Sequence, residues 1–424
     1  MKYYFWILGC AMNYSDAERI SAVLDSFGFE KTEKEKEADI FIVIACSVRQ
    51  HAIDRIYGKV KEWKEKPDLT TILSGCVLET DKKKLAQQFD LIFEIKNINH
   101  LSDFVSNKFN LQDKIESFGD YLSIIPSYNS KIRAFVPVST GCNNYCTYCA
   151  VPYTRGREKS RPKDEITSEV RNLIKKGVKE ITLLGQNVNS YGQDLGEIKG
   201  NDGFIKLIQE IDKIPGNYRV YFYSNHPKDM TADLIKTLTH LEHFPHYIHL
   251  PLQSGNDKII KDMNRHYTQK EYLTLVEKIN EAMPDITLTT DIIVGFPGET
   301  EKHFEDTVDV MKKVKYDMAF IAQFSSRPGT KAAKMDDNVS NDEKRKRENV
   351  LQKILAESAL EKNKKLVGGI ETVLIDEEKK DKVYGRTASY KVVEIKKSPT
   401  IKIGDFVKVK INSVTAWKLM GSKA

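Results

Sequence analysis

Three of the six cysteines in this 424-residue chain stand in one run, Cys142, Cys146 and Cys149 in Ser-Thr-Gly-Cys-Asn-Asn-Tyr-Cys-Thr-Tyr-Cys. No other feature constrains the fold as much. A C-x3-C-x2-C clamp brings three thiolates together on one loop, one short of the four that a 4Fe-4S cube takes. One iron is then open to a small molecule that chelates through an amino nitrogen and a carboxylate oxygen, as S-adenosylmethionine does. Structural zinc is the ordinary reading of a short Cys-rich run, but such sites close with four ligands. No fourth Cys or His follows within reach.

The other three cysteines are placed just as tellingly. Cys10, Cys46 and Cys76 each follow a short apolar run, Tyr4 to Leu8, Ile40 to Ile44 and Thr71 to Leu73, that reads as a buried parallel strand. An isolated Cys is ordinarily a small buried hydrophobe. Three of them at strand ends, where open α/β sheets gather their ligands, predict instead a second three-thiolate cluster site with one iron free.

At 424 residues two or three domains are expected. No apolar run approaches the ~20 residues of a membrane span, and no leader pattern opens the chain. A cytoplasmic, reducing location follows as an expectation, with thiolates that hold metal and do not pair. The net charge of +6 is uneven: Gly368–Ala424 carries 12 Lys or Arg against 7 Asp or Glu, a balance of +5. Such a tail suits either a phosphate-bearing partner or a solvated lysine-rich face. Short runs at Thr372–Ile375, Val383–Thr387, Tyr390–Ile395 and Phe406–Ile411 predict a small OB-like β-barrel there.

Between the ends the chain reads as repeated βα units. Strands are predicted at Ala134–Val138, Glu180–Leu184, Arg219–Tyr223, Tyr247–Leu250, Thr287–Val294 and Met318–Phe324, with helices such as Ile166–Lys176 and Glu301–Lys313 between them. Six strands suit a partial (βα)6 barrel, with its chemistry at the carboxyl ends. The overall class is α/β: a parallel-sheet domain over 1–125, the barrel over 130–365 and the small β-barrel over 366–424. Gly185, Gln186, Asn187, Gln253 and Gly295 fall at strand ends and are the candidate cofactor-binding residues. Arg155, Arg157 and Arg161 either grip a carboxylate or phosphate or form a solvated basic loop. The Lys344–Arg347 run is either a solvated helix face or an RNA contact. His240, His243, His246 and His249 are not read as a metal site, because Pro245 breaks the run.

Several of these segments resemble a known family. Leu-Gly-Cys10-Ala-Met-Asn13, Ala-Cys46-Ser-Val-Arg49, Val151-Pro-Tyr-Thr-Arg-Gly-Arg157, Leu184-Gly-Gln-Asn-Val-Asn189, Asn225-His-Pro-Lys-Asp-Met230 and Met263-Asn-Arg265 are similar to motifs of the radical S-adenosylmethionine methylthiotransferases. The branch they resemble modifies isopentenyladenosine in tRNA. Ala11, Ala45 and Asn225 depart from the residues usual there. The resemblance implies two 4Fe-4S clusters, on Cys142, Cys146 and Cys149 and on Cys10, Cys46 and Cys76, with S-adenosylmethionine as cofactor and a C-terminal TRAM domain. It implies tRNA, a one-electron donor protein and a sulfur source as partners. The activity implied is hydrogen abstraction from carbon 2 of the adenine by a 5′-deoxyadenosyl radical, followed by methylthio delivery from the N-terminal cluster. Sister substrates are threonylcarbamoyladenosine in tRNA and a ribosomal-protein aspartate. A reading of another class is a non-catalytic iron-sulfur RNA-binding protein.

Overall fold

Ile40-Phe-Ile-Val-Ile-Ala-Cys46 has no polar side chain to offer water, and every residue of it is buried. In the computed structural model, which describes residues 1–47, 50–64, 66, 68–111, 118–196 and 200–424, this run is the central strand of a five-stranded sheet. The Val48-Arg49 end of the second cysteine motif lies outside the described residues. The strands are β1 (Lys2–Leu8), β2 (Glu30–Lys31), β3 (Ile40–Cys46), β4 (Thr70–Cys76) and β5 (Leu91–Ile92), all parallel in the order β2-β1-β3-β4-β5. Helix α1 (Ala11–Ser26) packs Ala17, Ile20, Val23 and Leu24 against Ile40, Ile42 and Ile44. Helix α2 (Gln50–Lys64) packs Ile53, Ile56 and Trp63 against Phe41 and Val43 on the opposite face. A sheet covered on both faces needs continuous apolar strands.

Six further parallel strands form the central body: β6 (Arg133–Pro137), then, after the short antiparallel ribbon β7 (Ser139–Thr140) and β8 (Lys159–Ser160), β9 (Glu180–Leu184), β10 (Arg219–Phe222), β11 (Tyr247–His249), β12 (Thr287–Val294) and β13 (Met318–Gln323). They fall in two three-stranded halves, β6-β9-β10 and β11-β12-β13. The halves meet where the Asn225 side chain donates to the His249 carbonyl at 2.9 Å. Among the described residues no pairing joins β6 to β13, so the barrel is open on one side. Ala134, Val136, Ile181, Leu183, Val220, Phe222, Ile248, Ala319 and Ile321 face the surrounding helices. Strand alternation turns Phe135, Thr182, Tyr221, Tyr247, His249, Asp291 and Phe320 into the interior.

The C-terminal body is a closed barrel of β14 (Ile370–Lys379), β15 (Lys382–Arg386), β16 (Val392–Lys396), β17 (Phe406–Val414) and β18 (Leu419–Lys423), ordered β14-β15-β16-β18-β17. Strand β18 escapes sequence reading because Lys-Leu-Met-Gly-Ser-Lys shows no alternation. Tyr390 does not begin a strand as predicted but sits in a turn at φ +61°. That turn thrusts its ring into the central barrel, 5.1 Å from Tyr221 and 5.7 Å from Tyr247 between centroids. Around it Arg219 donates to the carbonyls of Thr372 and Arg386, Tyr221 to that of Ala388, and Arg133 pairs with Asp376. The small barrel therefore floors the large one.

Candidate active site

Each cysteine of the first set stands where a strand gives out. Cys46 and Cys76 end β3 and β4 as register partners. Gly75, at φ +108°, lets the two strands close there, since a Cβ would stand 2.3 Å from the Ala45 carbonyl oxygen. Cys10 caps α1, with its N–H donated to Asn13 Oδ1 at 3.1 Å. Cys10 as a residue is exposed; desolvation, and then charge on Cys76, push its thiol up. The Cys76 thiol is lowered to about 6, through a hydrogen bond with Cys46 and the nearby Arg155 guanidinium. The three sulfurs thus sense one another across two strands and a helix start.

The second set lies on the loop between β7 and β8. Gly141, at φ +78°, starts it, because a Cβ would meet the Arg157 carbonyl oxygen at 2.1 Å. The loop is stitched to the segment after a short helix, α3 (Asp257–Asp262): Thr147 N–H donates to the Met263 carbonyl at 3.1 Å, and Asn264 Nδ2 to the Asn144 carbonyl at 3.0 Å. Burial, then charge on Cys146 and Cys142, pushes the Cys149 thiol up to about 12. Cys142 is raised for similar reasons. Mutual repulsion of this kind is relieved when thiolates share a cationic cluster. Among the described residues no three His, Cys, Asp or Glu side chains are set to hold a single metal ion. A cube places its irons at separate corners, and the donor sets fit such a cluster.

The barrel mouth collects polar atoms without partners. Ser139 Oγ, Gln186 Oε1, Asn187 Oδ1, Asn225 Oδ1 and His226 Nε2 are all buried and unsatisfied within the protein. Buried polar groups are ordinarily hydrogen-bonded, so this cluster fits a polar ligand such as the amino acid and ribose ends of S-adenosylmethionine. Gly185 keeps the place tight: a Cβ there would lie 2.9 Å from Ser139 Oγ. Gln253, buried at φ +68°, is held in a conformation costly for a non-glycine residue. His226 Nδ1 accepts the Lys228 N–H at 3.2 Å, so in the neutral ring the proton is on Nε2. Burial and the Arg265 charge hold that ring well below the usual histidine range.

Gly295 does not open onto this mouth as a bare backbone. Its N–H goes to Glu299 Oε2 at 2.6 Å, and the Lys344 side chain fills the place of a Cβ. Nor is the Lys344–Arg347 run uniformly solvated: Lys344 is buried on Asp337 and Arg347 on Glu299, leaving Arg345 and Lys346 exposed. Arg155 and Arg161 are spent inside the protein, on Asp16 and on Glu169; Arg157 is exposed. Asp16 and Ser139 had no signal in the sequence. Arg265 stood in a quoted motif without a role, and here its Nη1 lies 3.5 Å from Cys146 Sγ.

Below the mouth the barrel interior is aromatic. Phe320 is 57% exposed and meets the His249 ring edge-on at 6.1 Å. His249 is steadied by Thr289 at 3.0 Å and Asp291 at 3.3 Å. Tyr390 closes the floor.

Family models match three stretches: the Radical SAM superfamily over residues 136–311, uncharacterized protein family UPF0004 over 2–94, and the TRAM domain over 364–424. The tRNA-2-methylthio-N(6)-dimethylallyladenosine synthase of Carboxydothermus hydrogenoformans is 41% identical, the match covering 99% of this chain and 98% of that one. The chain belongs to that synthase family. The synthase of Caldicellulosiruptor saccharolyticus is 42% identical over 99% of this chain and 92% of its own length. In fold the chain is similar to the radical S-adenosylmethionine methyltransferase TsrM from Kitasatospora setae, solved with cobalamin and a 4Fe-4S cluster bound. The TM-score is 0.57 at 13% identity, over 78% of this chain and 76% of that one. Family membership accounts for all three bodies: the UPF0004 match spans the first thiol site, the Radical SAM match the second, and the TRAM match the floor.

Proposed function

We propose that this protein adds a methylthio group to carbon 2 of N6-isopentenyladenosine next to the anticodon of tRNA. One observation carries the reading: two separate three-thiol sites, each at strand ends, in a chain 41% identical along nearly its whole length to a synthase named for that product. Cys142, Cys146 and Cys149 would hold one 4Fe-4S cluster and Cys10, Cys46 and Cys76 the other. With S-adenosylmethionine these groups supply one-electron cleavage, a hydrogen-abstracting radical and the sulfur to be transferred.

The chain's own residues then bind, orient and shield. The unsatisfied atoms of Ser139, Gln186, Asn187 and Asn225 take the polar ends of S-adenosylmethionine at the mouth, and Gln253 is fixed beside them. Phe320 and His249 give the adenine a face to stack on, as enzymes that act on a base do once it has left its helix. The Tyr390 floor keeps water from the reacting carbon. Lysines of the TRAM barrel meet phosphates without reading bases. No helix among the described residues is long and apolar enough to cross a membrane. The proposed tRNA substrate supports a cytoplasmic location. A one-electron donor protein and a sulfur source complete the turnover.

The test is anaerobic reconstitution with iron and sulfide, then incubation with reductant, S-adenosylmethionine and, in parallel, tRNA carrying isopentenyladenosine or tRNA carrying threonylcarbamoyladenosine. Nucleoside mass spectrometry should show the 2-methylthio product. Methylthiolation of the threonylcarbamoyladenosine tRNA alone, or S-adenosylmethionine cleavage with no methylthio nucleoside on either tRNA, would overturn the reading.

A further inference from the structure

Arg155 belongs by sequence to the barrel loop, six residues beyond Cys149, yet its side chain reaches into the N-terminal domain. Its Nε lies 2.9 Å from Cys76 Sγ. Both terminal nitrogens turn to Asp16 of α1, and Nη1 also lies 3.4 Å from the Tyr121 hydroxyl. The side chain is 1% exposed. Asp16 in turn accepts from Asn13 at 3.5 Å, and Asn13 holds the Cys10 N–H. One guanidinium is therefore tied directly to one cysteine of the N-terminal set and through two side chains to another.

We infer that Arg155 is a positioning residue of the N-terminal site, whose fixed charge and N–H···S bond raise the reduction potential of the group held there. The inference rests on the two-cluster reading above. A guanidinium never loses its charge in a protein. Asp16 grips its two-nitrogen end, which leaves Nε–H aimed at the sulfur. An added electron on a thiolate-bound cluster raises its negative charge, and a buried cation with a hydrogen bond to sulfur stabilises that state. The same device stands at the barrel site in longer form, Arg265 Nη1 to Cys146 Sγ at 3.5 Å. Because Arg155 and Cys149 share a loop, the two sites are also held in one mechanical frame.

The experiment uses full-length protein with Cys142, Cys146 and Cys149 changed to Ala, reconstituted so that the N-terminal site alone binds iron. It is followed by a redox titration read by electron paramagnetic resonance. In this background Arg155→Gln should move the midpoint to more negative potential, and Arg155→Lys, which keeps the charge but not the fork, should move it less. Arg265→Gln, at the emptied site, should leave it in place. If Arg155→Gln no longer holds iron, the Arg155→Lys shift decides. An unmoved midpoint in Arg155→Lys then overturns the inference, as does an equal shift from Arg265→Gln. Absence of iron from the background protein itself overturns the two-cluster reading along with it, whereas bound iron with an unmoved potential overturns only the role of Arg155.

Discussion

Lys344 lies across Gly295 so closely that a Cβ on the glycine would stand 2.2 Å from the lysine Cγ. The ammonium beyond is fixed by both oxygens of Asp337, at 2.7 and 2.8 Å. The lysine stem is thus a packing element of the loop after β12, and it cannot swing away without abandoning its ion pair with the exposed Asp337.

Gly295→Ala should for that reason be costly twice over, in the clash and in a methyl-bearing residue at φ +70°. A loss of about 3 kcal/mol is expected from backbone strain and overpacking together. Urea unfolding of the variant would measure it, and a value within about 0.5 kcal/mol of the parent would show that the loop relaxes freely.

Replacing Cys46 or Cys76 by Ala should abolish the methylthio nucleoside while reductive cleavage of S-adenosylmethionine continues, because the second thiol set lies on a different loop. Changing Cys142, Cys146 and Cys149 together should leave about four irons of about eight. Iron analysis and product chromatography are the readouts. Parallel loss of cleavage in Cys76→Ala would refute the division of labour.

Phe320→Ala removes an exposed ring from the barrel interior without touching its core. Product formation at limiting tRNA should fall by about 5- to 150-fold, in line with ~1–3 kcal/mol for one stacked base. Cleavage of S-adenosylmethionine without tRNA should stay at the parent rate. Unaltered turnover in this variant would move the adenine elsewhere.

Lys408 and Lys410 project from β17 into solvent, and Lys408 lines a recess of about 410 Å³ with Lys179 and Lys423. If they meet phosphates, changing both to Gln should reduce the slope of log affinity for tRNA against log salt by about two, roughly one per contact. Filter binding across a salt series gives the slope, and an unchanged one would assign these lysines to solvation.

Glu18 sits buried on α1 with Oε2 unsatisfied, and desolvation raises its carboxyl from 4.5 to about 7. The folded value is the higher one, so the contribution to stability is fully present below pH 4.5 and is lost as pH rises towards 7. Glu18→Gln should therefore be more stable than the parent at pH 8, by up to ~3 kcal/mol, and about equal to it at pH 4.5. Thermal melts at the two pH values decide it. Equal differences at both would remove Glu18 as the cause.

Strand ends carrying Cys10, Cys46 and Cys76 were legible because unbroken apolar runs leave no other assignment, and the second cysteine loop because its spacing suits one chemistry. The six barrel strands were legible for the same reason of pattern. Pairings between distant residues were not. Nothing near Asp16 announces Arg155, 139 positions away, and a run such as Lys-Arg-Lys-Arg gives no sign that its first and last members are buried against acids while the middle two stay exposed. Tyr390 misled because aromatic and β-branched neighbours suggest a strand, whereas packing against three other tyrosines sets its backbone.

The tyrosine floor bears on how such a chain can be remodelled. A domain strung on a linker can be exchanged for another with little consequence for its neighbours. Here the C-terminal barrel also completes the wall of the central one, through Tyr390 and the carbonyls of Thr372, Arg386 and Ala388. A chimera with a foreign RNA-binding module would need to reproduce that loop before any change of target could be judged.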